Sequence, residues 1–492
     1  MAEEEEAPFC ERCVRKVPLL SSDHDTVYDI VIIGGGLGGC WTAYWLTRRA
    51  PKSKIAVVEK RPDIREGAGW GSSASMVNAG CLSGDYDGEG VSRETFLEVA
   101  RAKGMSFGRR IMGKRVEEMV FGRSSSLRYD DIGIGMPNSI FSFNFLCSFF
   151  RNCFFPSSRD QENFSYSRFF QNIEARSIER YRDLSEEMKG SLGATFSIYS
   201  GRMISAENSM KSQSNLSPQI GRWLSDFFHN EIFPEDISLN TDHFLRIFHT
   251  YLMKRNVAFF YDTDVTEICV SNQQVVGLKT SRGNLVATSM YVFCTGANFH
   301  PIMNRWASPG WGLCREYRYI SNKDETLLVS NTTTVKSPHY LYVVPRGKTG
   351  IRVTSGFFLS PSPPSDSQLR TFVKSIDLRT KDALSPSVME NLQLSSQSVQ
   401  YGGRPVCPDG RPVIGAHPDL RNAFVLNGLG MYGHASAEFS RMLCDMMTGR
   451  LNEVEKNYGC SPDILSPSRF KFGDYAIKWM NKWANFMKRE NK

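Results

Sequence analysis

Residues 28–59 read YDIVIIGGGLGGCWTAYWLTRRAPKSKIAVVE, and this stretch decides the fold. An apolar run at 28–33 gives way to GGGLGG at 34–39, which opens directly into an apolar segment at 40–49. A second apolar run at 55–58 ends on Glu59. Strand, glycine turn, helix, strand and acid in that order make a complete dinucleotide-binding unit. Gly34 permits the tight turn, Gly36 lets backbone N–H groups approach a pyrophosphate, and Gly39 lets the helix close on the strand. The helix N-terminus adds its partial positive charge. Glu59 is placed to accept hydrogen bonds from ribose hydroxyls, and its charge disfavours a 2′-phosphate. Gly38 and Lys60, which flank these positions, are counted with them as cofactor-contacting residues. The alternative, a glycine-rich turn with no ligand, does not account for the strand, helix and acid falling into place together. The expectation is an adenine dinucleotide.

The chain has 492 residues, 41% hydrophobic and 23% charged, an ordinary globular composition long enough for two domains. Its net charge of +7 is modest and its basic residues are scattered, so nucleic-acid binding is not expected. The excess fits anionic cofactors or substrates, although an unspecialised surface would look the same. The 12 cysteines are dispersed, several of them at apolar positions such as Cys40, Cys294 and Cys444. Free thiols in a reducing, cytoplasmic setting are expected rather than a disulfide framework. Cys10 and Cys13 form a lone C-x-x-C, so no metal is expected. The start MAEEEE has the wrong charge for a signal peptide or mitochondrial presequence. No apolar run reaches the roughly 18 residues a membrane span needs.

Two segments suit a bilayer surface. Residues 139–155 (SIFSFNFLCSFFRNCFF) are rich in phenylalanine but too short and too polar to cross. Residues 474–492 place Ile477, Met480, Trp483 and Met487 on one helical stripe with lysines elsewhere. That pattern fits an interfacial helix, and equally a terminal helix docked on its own protein.

The remaining chain divides by composition. Residues 1–25 read as a poorly ordered acidic leader, and 67–87 (GAGWGSSASMVNAGCLSGDYD) as small residues lying flat against a ligand. A helix opens at Asn240-Thr241-Asp242 and buries Phe244, Ile247, Phe248, Tyr251 and Leu252. Strands follow at 257–261, near Val265, at 275–278 and 285–287, and at 291–293, running into Cys294-Thr295-Gly296-Ala297. Residues 301–401 alternate β-rich runs with turns and read as an antiparallel sheet. Beyond them come YGGRPVCPDGRPVIG at 401–415, a strand at 423–426, NGLGMYGH at 427–434 and a helix at 435–448. Gly428, Gly430 and Gly433 repeat the G-x-G-x-x-G pattern, but no strand ending on an acid follows. A helix N-terminus aimed at the reactive end of the first cofactor is therefore preferred to a second nucleotide site.

These pieces, in this order, resemble the D-amino acid oxidase superfamily of flavoproteins, most closely the D-amino acid dehydrogenase small-subunit family. The likeness runs from Tyr28 to Arg450. It rests on the dinucleotide unit with Glu59, SMVNAG at 75–80, FRNC at 150–153, Val265 with 294–297, GGRPVCPDGRPVIG and NGLGMYG. The resemblance implies an α/β fold: a Rossmann-like FAD-binding domain with a parallel sheet, formed from 26–90, 238–300 and 402–450. Interleaved with it is an α+β substrate domain on an antiparallel sheet, formed from 91–237 and 301–401. A C-terminal extension with an amphipathic helix fills 451–492.

The resemblance also implies FAD as cofactor. Ser75, Asn78, Ala79 and Gly80 would line the pyrophosphate and flavin ring. Val265 would face the adenine, Thr295 and Gly296 would close over the cofactor, and Gly430, Met431, Tyr432 and Gly433 would reach the flavin's pyrimidine side. Arg404 would fork onto a substrate carboxylate; a surface or domain-gluing ion pair is the alternative. Tyr317 or Tyr319 would line the substrate site, or pack in the core; Glu316 stands where relatives carry glycine. His434, where relatives carry tryptophan, would hydrogen-bond flavin or substrate, or cap the following helix. The implied activity is oxidation of the Cα–N bond of an amino acid, a D-amino acid foremost, by hydride transfer to flavin N5, giving a 2-oxo acid and ammonia. Quinone or oxygen would take the electrons. Oxidation of sarcosine, dimethylglycine or a 2-hydroxy acid, and a flavin-binding scaffold without turnover, are the alternatives.

Overall fold

The computed structural model describes residues 26–66, 73–77, 80–82, 132–134, 163–196, 198–200, 203–206, 230–233, 237–298, 300–320, 334–337, 341–346, 350–384, 386–394, 399–430, 432–458 and 461–470. The expectations on 1–25, 67–72, Asn78, Ala79, 83–87, 139–155, Met431 and 474–492 lie outside the described residues.

In chain order the principal strands begin with Thr26–Ile33 (β1), Ile55–Val58 (β2), Ala258–Phe260 (β3), Val265–Ser271 (β4), Gln274–Thr280 (β5) and Gly283–Phe293 (β6). They continue with Ser308–Tyr319 (β7), Leu341–Arg346 (β8), Gly350–Leu359 (β9), Gln400–Val406 (β10), Val413–Ala416 (β11) and Ala423–Asn427 (β12). The principal helices are Leu37–Arg49 (α1), Asn163–Leu192 (α2), Thr241–Lys254 (α3), Asp366–Ala383 (α4) and Ser436–Met447 (α5).

The first sheet has a parallel centre. β1 lies between β2 and β6, β3 pairs beyond β2, and β12 pairs beyond β6, all in parallel. Both faces are covered, which is why these strands are uninterrupted apolar runs. Alternate residues take opposite sides. Ile30 and Ile32 join the core beneath α1, α3 and α5, whereas Val31 and Ile33 join a second core with Met303, Trp306 and Leu420. Helix α1 closes on β1 at Gly39, where a Cβ would overlap the Gly34 carbonyl oxygen.

Three boundaries differ from the sequence reading. Helix α1 starts at Leu37 rather than Cys40, because the Cys40 N–H already donates to the Gly36 carbonyl at 3.0 Å. The runs 285–287 and 291–293 are one strand, β6. Its first part pairs with β5, its last part with β12, and β1 follows its other edge through a register shift between Tyr28 and Ile30. The second glycine motif does not open a helix directly: α5 begins at Ser436, and Gly428, Gly430 and Gly433 lie in no helix.

The second sheet has β7 between β9 and β10, all antiparallel, with β8 on β9. At its margins Ile132–Ile134 and Met203–Ala206 pair in parallel, so short segments of the 91–237 stretch make the sheet mixed. Helix α4 covers one face, burying Phe372 and Ile376 against Leu313, Val353 and Phe358. Its start is set by Ser365 and Gln368, which exchange side-chain and backbone hydrogen bonds in a capping box.

Gly39→Ala is expected to cost about 2–3 kcal/mol, since the added methyl meets a backbone atom that cannot swing away. Thermal unfolding checks this; an unchanged midpoint would contradict the helix–strand contact.

Candidate active site

Segments far apart in the chain enclose one cavity of about 550 Å³. Gly34, Gly36, Glu59, Lys60, Ser75, Val265, Thr295, Gly296, Arg404, Gly430 and Gly433 all line it, and so does Gly38. Sites of this kind form where strands of an α/β sheet end and glycine-rich turns expose their backbone.

At one end stands Glu59, 4% exposed. Its Oε2 accepts from the Gly35 N–H at 2.8 Å, and its Oε1 from the Arg61 N–H at 3.0 Å. Lys60 Nζ donates to Asn298 Oδ1 at 2.9 Å, tying this end to the 295–298 loop. That loop is held from beneath by fully buried Asn304, whose Nδ2 donates to the Gly296 and Asn298 carbonyls at 2.9 and 3.0 Å. Ser75 Oγ accepts from the Leu37 N–H at 3.3 Å, at the first turn of α1. At the other end the Gly430 N–H donates to the Pro405 carbonyl at 2.7 Å, joining the glycine loop to the strand that carries Arg404.

Arg404 projects from β10 over Gly312 of β7; a Cβ there would come within 2.8 Å of its guanidinium. Opposite this point the β7–β9 ladder slips. Trp311 pairs with Phe358 and Leu313 with Ser355, so β9 carries an extra residue around Gly356. The Gly356 carbonyl accepts from Arg404 Nη1 at 2.7 Å, which sets the direction of the planar group.

Other expected residues lie elsewhere. Tyr317 and Tyr319 project from the α4 side of β7, away from the cavity. The Tyr317 hydroxyl donates to Asp377 at 2.9 Å, and burial with that carboxylate beside it raises its pKa. Both tyrosines are therefore core and sheet-packing residues: β7 reaches the cavity only near its start, at Pro309 and Trp311, and further along the same face is covered by α4. His434, 3% exposed, also misses the cavity. Its Nδ1 lies 3.1 Å from the Tyr181 hydroxyl and its Nε2 3.4 Å from Thr241 Oγ1, joining α2 to α3. Tyr432 stacks on Phe170 with ring centroids 4.8 Å apart. Gly39 and Gly80 sit behind the wall: a Cβ on Gly80 would overlap the Leu239 carbonyl oxygen.

The sequence reading missed His249, Asn304 and Trp311. His249 is fully buried on α3, with Nε2 2.9 Å from the Gly35 carbonyl oxygen and Nδ1 2.8 Å from the Tyr261 hydroxyl. It sits beside the apolar stripe used to recognise α3, and only the aromatic pair Phe259 and Tyr261 hinted at a partner. Cys40, Cys269, Cys294, Cys314, Cys407 and Cys444 form no disulfide. Burial pushes the Cys294 thiol up to about 12, which makes it inert. No helix among the described residues is long and apolar enough to cross a membrane.

This cradle fits FAD. Side-chain-free backbone at Gly34 and Gly36 with the α1 N-terminus suits a diphosphate, and the anchored Glu59 carboxylate suits a ribose without phosphate. The far end is lined by Arg404, Leu429, Gly430 and Gly433.

Residues 29–446 match the DAO family, FAD dependent oxidoreductase. The chain belongs to that family. Its cofactor is FAD. Among curated proteins the chain is 25% identical over 226 residues to the D-amino acid dehydrogenase of Granulibacter bethesdensis, covering 45% of this chain and 51% of that one. It is 29% identical over 209 residues to D-amino acid dehydrogenase 1 of Mesorhizobium japonicum, covering 41% and 46%. The chain thus spans about half the length of the curated relatives it matches. Among solved structures, glycine oxidase from Bacillus cereus superimposes with a TM-score of 0.55 at 17% identity, covering 86% of this chain and 98% of that one. This likeness shows the shared fold.

The buried imidazole gives the fold an acid limit. Desolvation holds the His249 pKa down at about 4, against an ordinary 6.5. The unfolded chain therefore takes up this proton first as pH falls, so stability drops between about pH 6.5 and 4, by roughly 3 kcal/mol in total. Unfolding of wild type and His249→Gln across that window checks this. The variant is expected to show the shallower pH dependence, and equal slopes would contradict it.

Proposed function

We propose that this chain oxidises the Cα–N bond of an amino acid, a D-amino acid foremost, releasing a 2-oxo acid and ammonia once the imino acid hydrolyses. One observation carries the reading: Arg404 opens into the cavity that also holds the FAD-binding residues. The D-amino acid dehydrogenases that match part of the chain support the substrate class. FAD, when bound, supplies the two-electron acceptor at flavin N5. The chain supplies position. A guanidinium oriented by the Gly356 carbonyl lines the cavity, and a fork of this kind engaging a carboxylate would hold the substrate in one orientation. With Tyr317, Tyr319 and His434 turned away, orientation and exclusion of water carry the rate, and no side-chain acid–base pair is assigned. The electrons pass to a quinone if the 474–492 stretch lies on a membrane, and otherwise to oxygen.

The same withdrawn side chains favour a second reading, a flavin-binding scaffold without turnover. Anaerobic mixing of the holoprotein with D-amino acids, sarcosine, proline and 2-hydroxy acids separates the two. Bleaching of the flavin band by a D-amino acid is expected. Arg404→Ala should lower kcat/KM for carboxylate substrates about 100-fold or more, and Arg404→Lys should recover only part of it. Turnover unaffected by Arg404→Ala, or a flavin that no amino acid bleaches, would contradict the proposal.

A further inference from the structure

The peptide joining Gly35 to Gly36 carries the contact between helix α3 and the nucleotide loop. The Gly35 carbonyl oxygen lies 2.9 Å from His249 Nε2 and accepts from Cys40 Sγ at 3.2 Å. A carbonyl only accepts, so His249 Nε2 carries the ring proton. Its neutral ring then accepts at Nδ1, and the Tyr261 hydroxyl, 2.8 Å away, donates to it. The ring cannot turn, since it stacks on Phe259 with centroids 4.5 Å apart and is fully buried. The tautomer is thus fixed by geometry from both sides.

This matters because the loop cannot fix itself. Gly34 has φ +107 and Gly36 has φ −71 with ψ −169, and neither neighbour of the 35–36 peptide has a side chain to resist its rotation. The peptide is planar and trans, so its C=O and N–H point in opposite directions. With the Gly35 carbonyl drawn into the core, the Gly36 N–H faces the cavity that Gly36 lines.

We propose that His249, braced by Tyr261, is a positioning residue for FAD: it fixes the Gly35–Gly36 peptide so that its N–H is presented to the cofactor's diphosphate before FAD binds. The inference rests on the family's cofactor and not on the substrate reading. The Gly35 N–H donates to Glu59 at 2.8 Å, so the same residue also aligns the ribose end. A preset donor lowers the ordering cost of binding.

Titration of the apoprotein with FAD, followed by flavin fluorescence, tests this, with apoprotein thermal midpoints read in parallel. His249→Leu, which can neither donate nor accept, is expected to raise the FAD Kd about 10-fold or more. His249→Gln offers an amide donor and a carbonyl acceptor and should return it to within about threefold of wild type. Tyr261→Phe removes only the hydroxyl and should raise Kd about three- to tenfold with little change in midpoint. The proposal is overturned if His249→Leu binds FAD within about twofold of wild type, or if His249→Gln is as weak as His249→Leu. Should His249→Leu not fold, Tyr261→Phe decides: a loss of threefold or more supports the proposal, and a smaller one overturns it.

Discussion

A backbone turn without side chains has to have its polar groups held by something else, and here the rest of the site depends on how that is done. Glu59 takes the Gly35 N–H and His249 faces the Gly35 carbonyl, so strand β2 and helix α3 grip one residue from opposite sides. Gly39 then lets α1 descend onto the turn, bringing its N-terminus against the same cavity. None of these contacts is individually large. Together they convert the most flexible residues of the chain into a fixed row of donors.

The second constraint is the junction of the sheets. The parallel sheet supplies the turn, the acid and the 295–298 loop, while the second sheet supplies Arg404. Both ends of the site are fixed by backbone irregularity: a glycine turn at one, and a bulge around Gly356 at the other. The hydrogen bond from Gly430 to Pro405 joins the two, since 428–433 follows the parallel strand β12 and Pro405 lies in β10. A cavity built this way binds a long cofactor along one sheet and presents a small substrate from the other.

How far this was legible in the sequence depends on what fixes each residue. Gly34, Gly36 and Glu59 belong to one strand–turn–helix–strand unit whose spacing carries that information directly, whereas Thr295 came only with the family resemblance. The dinucleotide-binding unit followed for the same reason, from the apolar runs at 28–33 and 55–58, while the full α/β architecture came with the family resemblance. Tyr317 and Tyr319 were harder. Alternation puts them on the same face as Trp311, which does line the cavity, but how far along β7 that cavity extends is decided by where α4 packs, a contact with no sequence signal of its own. His434 follows a glycine loop whose path is set by distant partners on α2 and α3. His249, beside the apolar stripe of α3, gave no signal because its partners are a carbonyl and a residue twelve positions away.

The central claim is that cofactor and substrate carboxylate meet in one cavity with Arg404 between the sheets. A crystal structure of the holoprotein with a carboxylate substrate analogue tests it most directly. The expected result is FAD lying along Gly34, Gly36 and Glu59, with the analogue's carboxylate oxygens about 3 Å from the Arg404 guanidinium and its Cα facing the flavin. A carboxylate bound elsewhere, out of reach of Arg404, would contradict it.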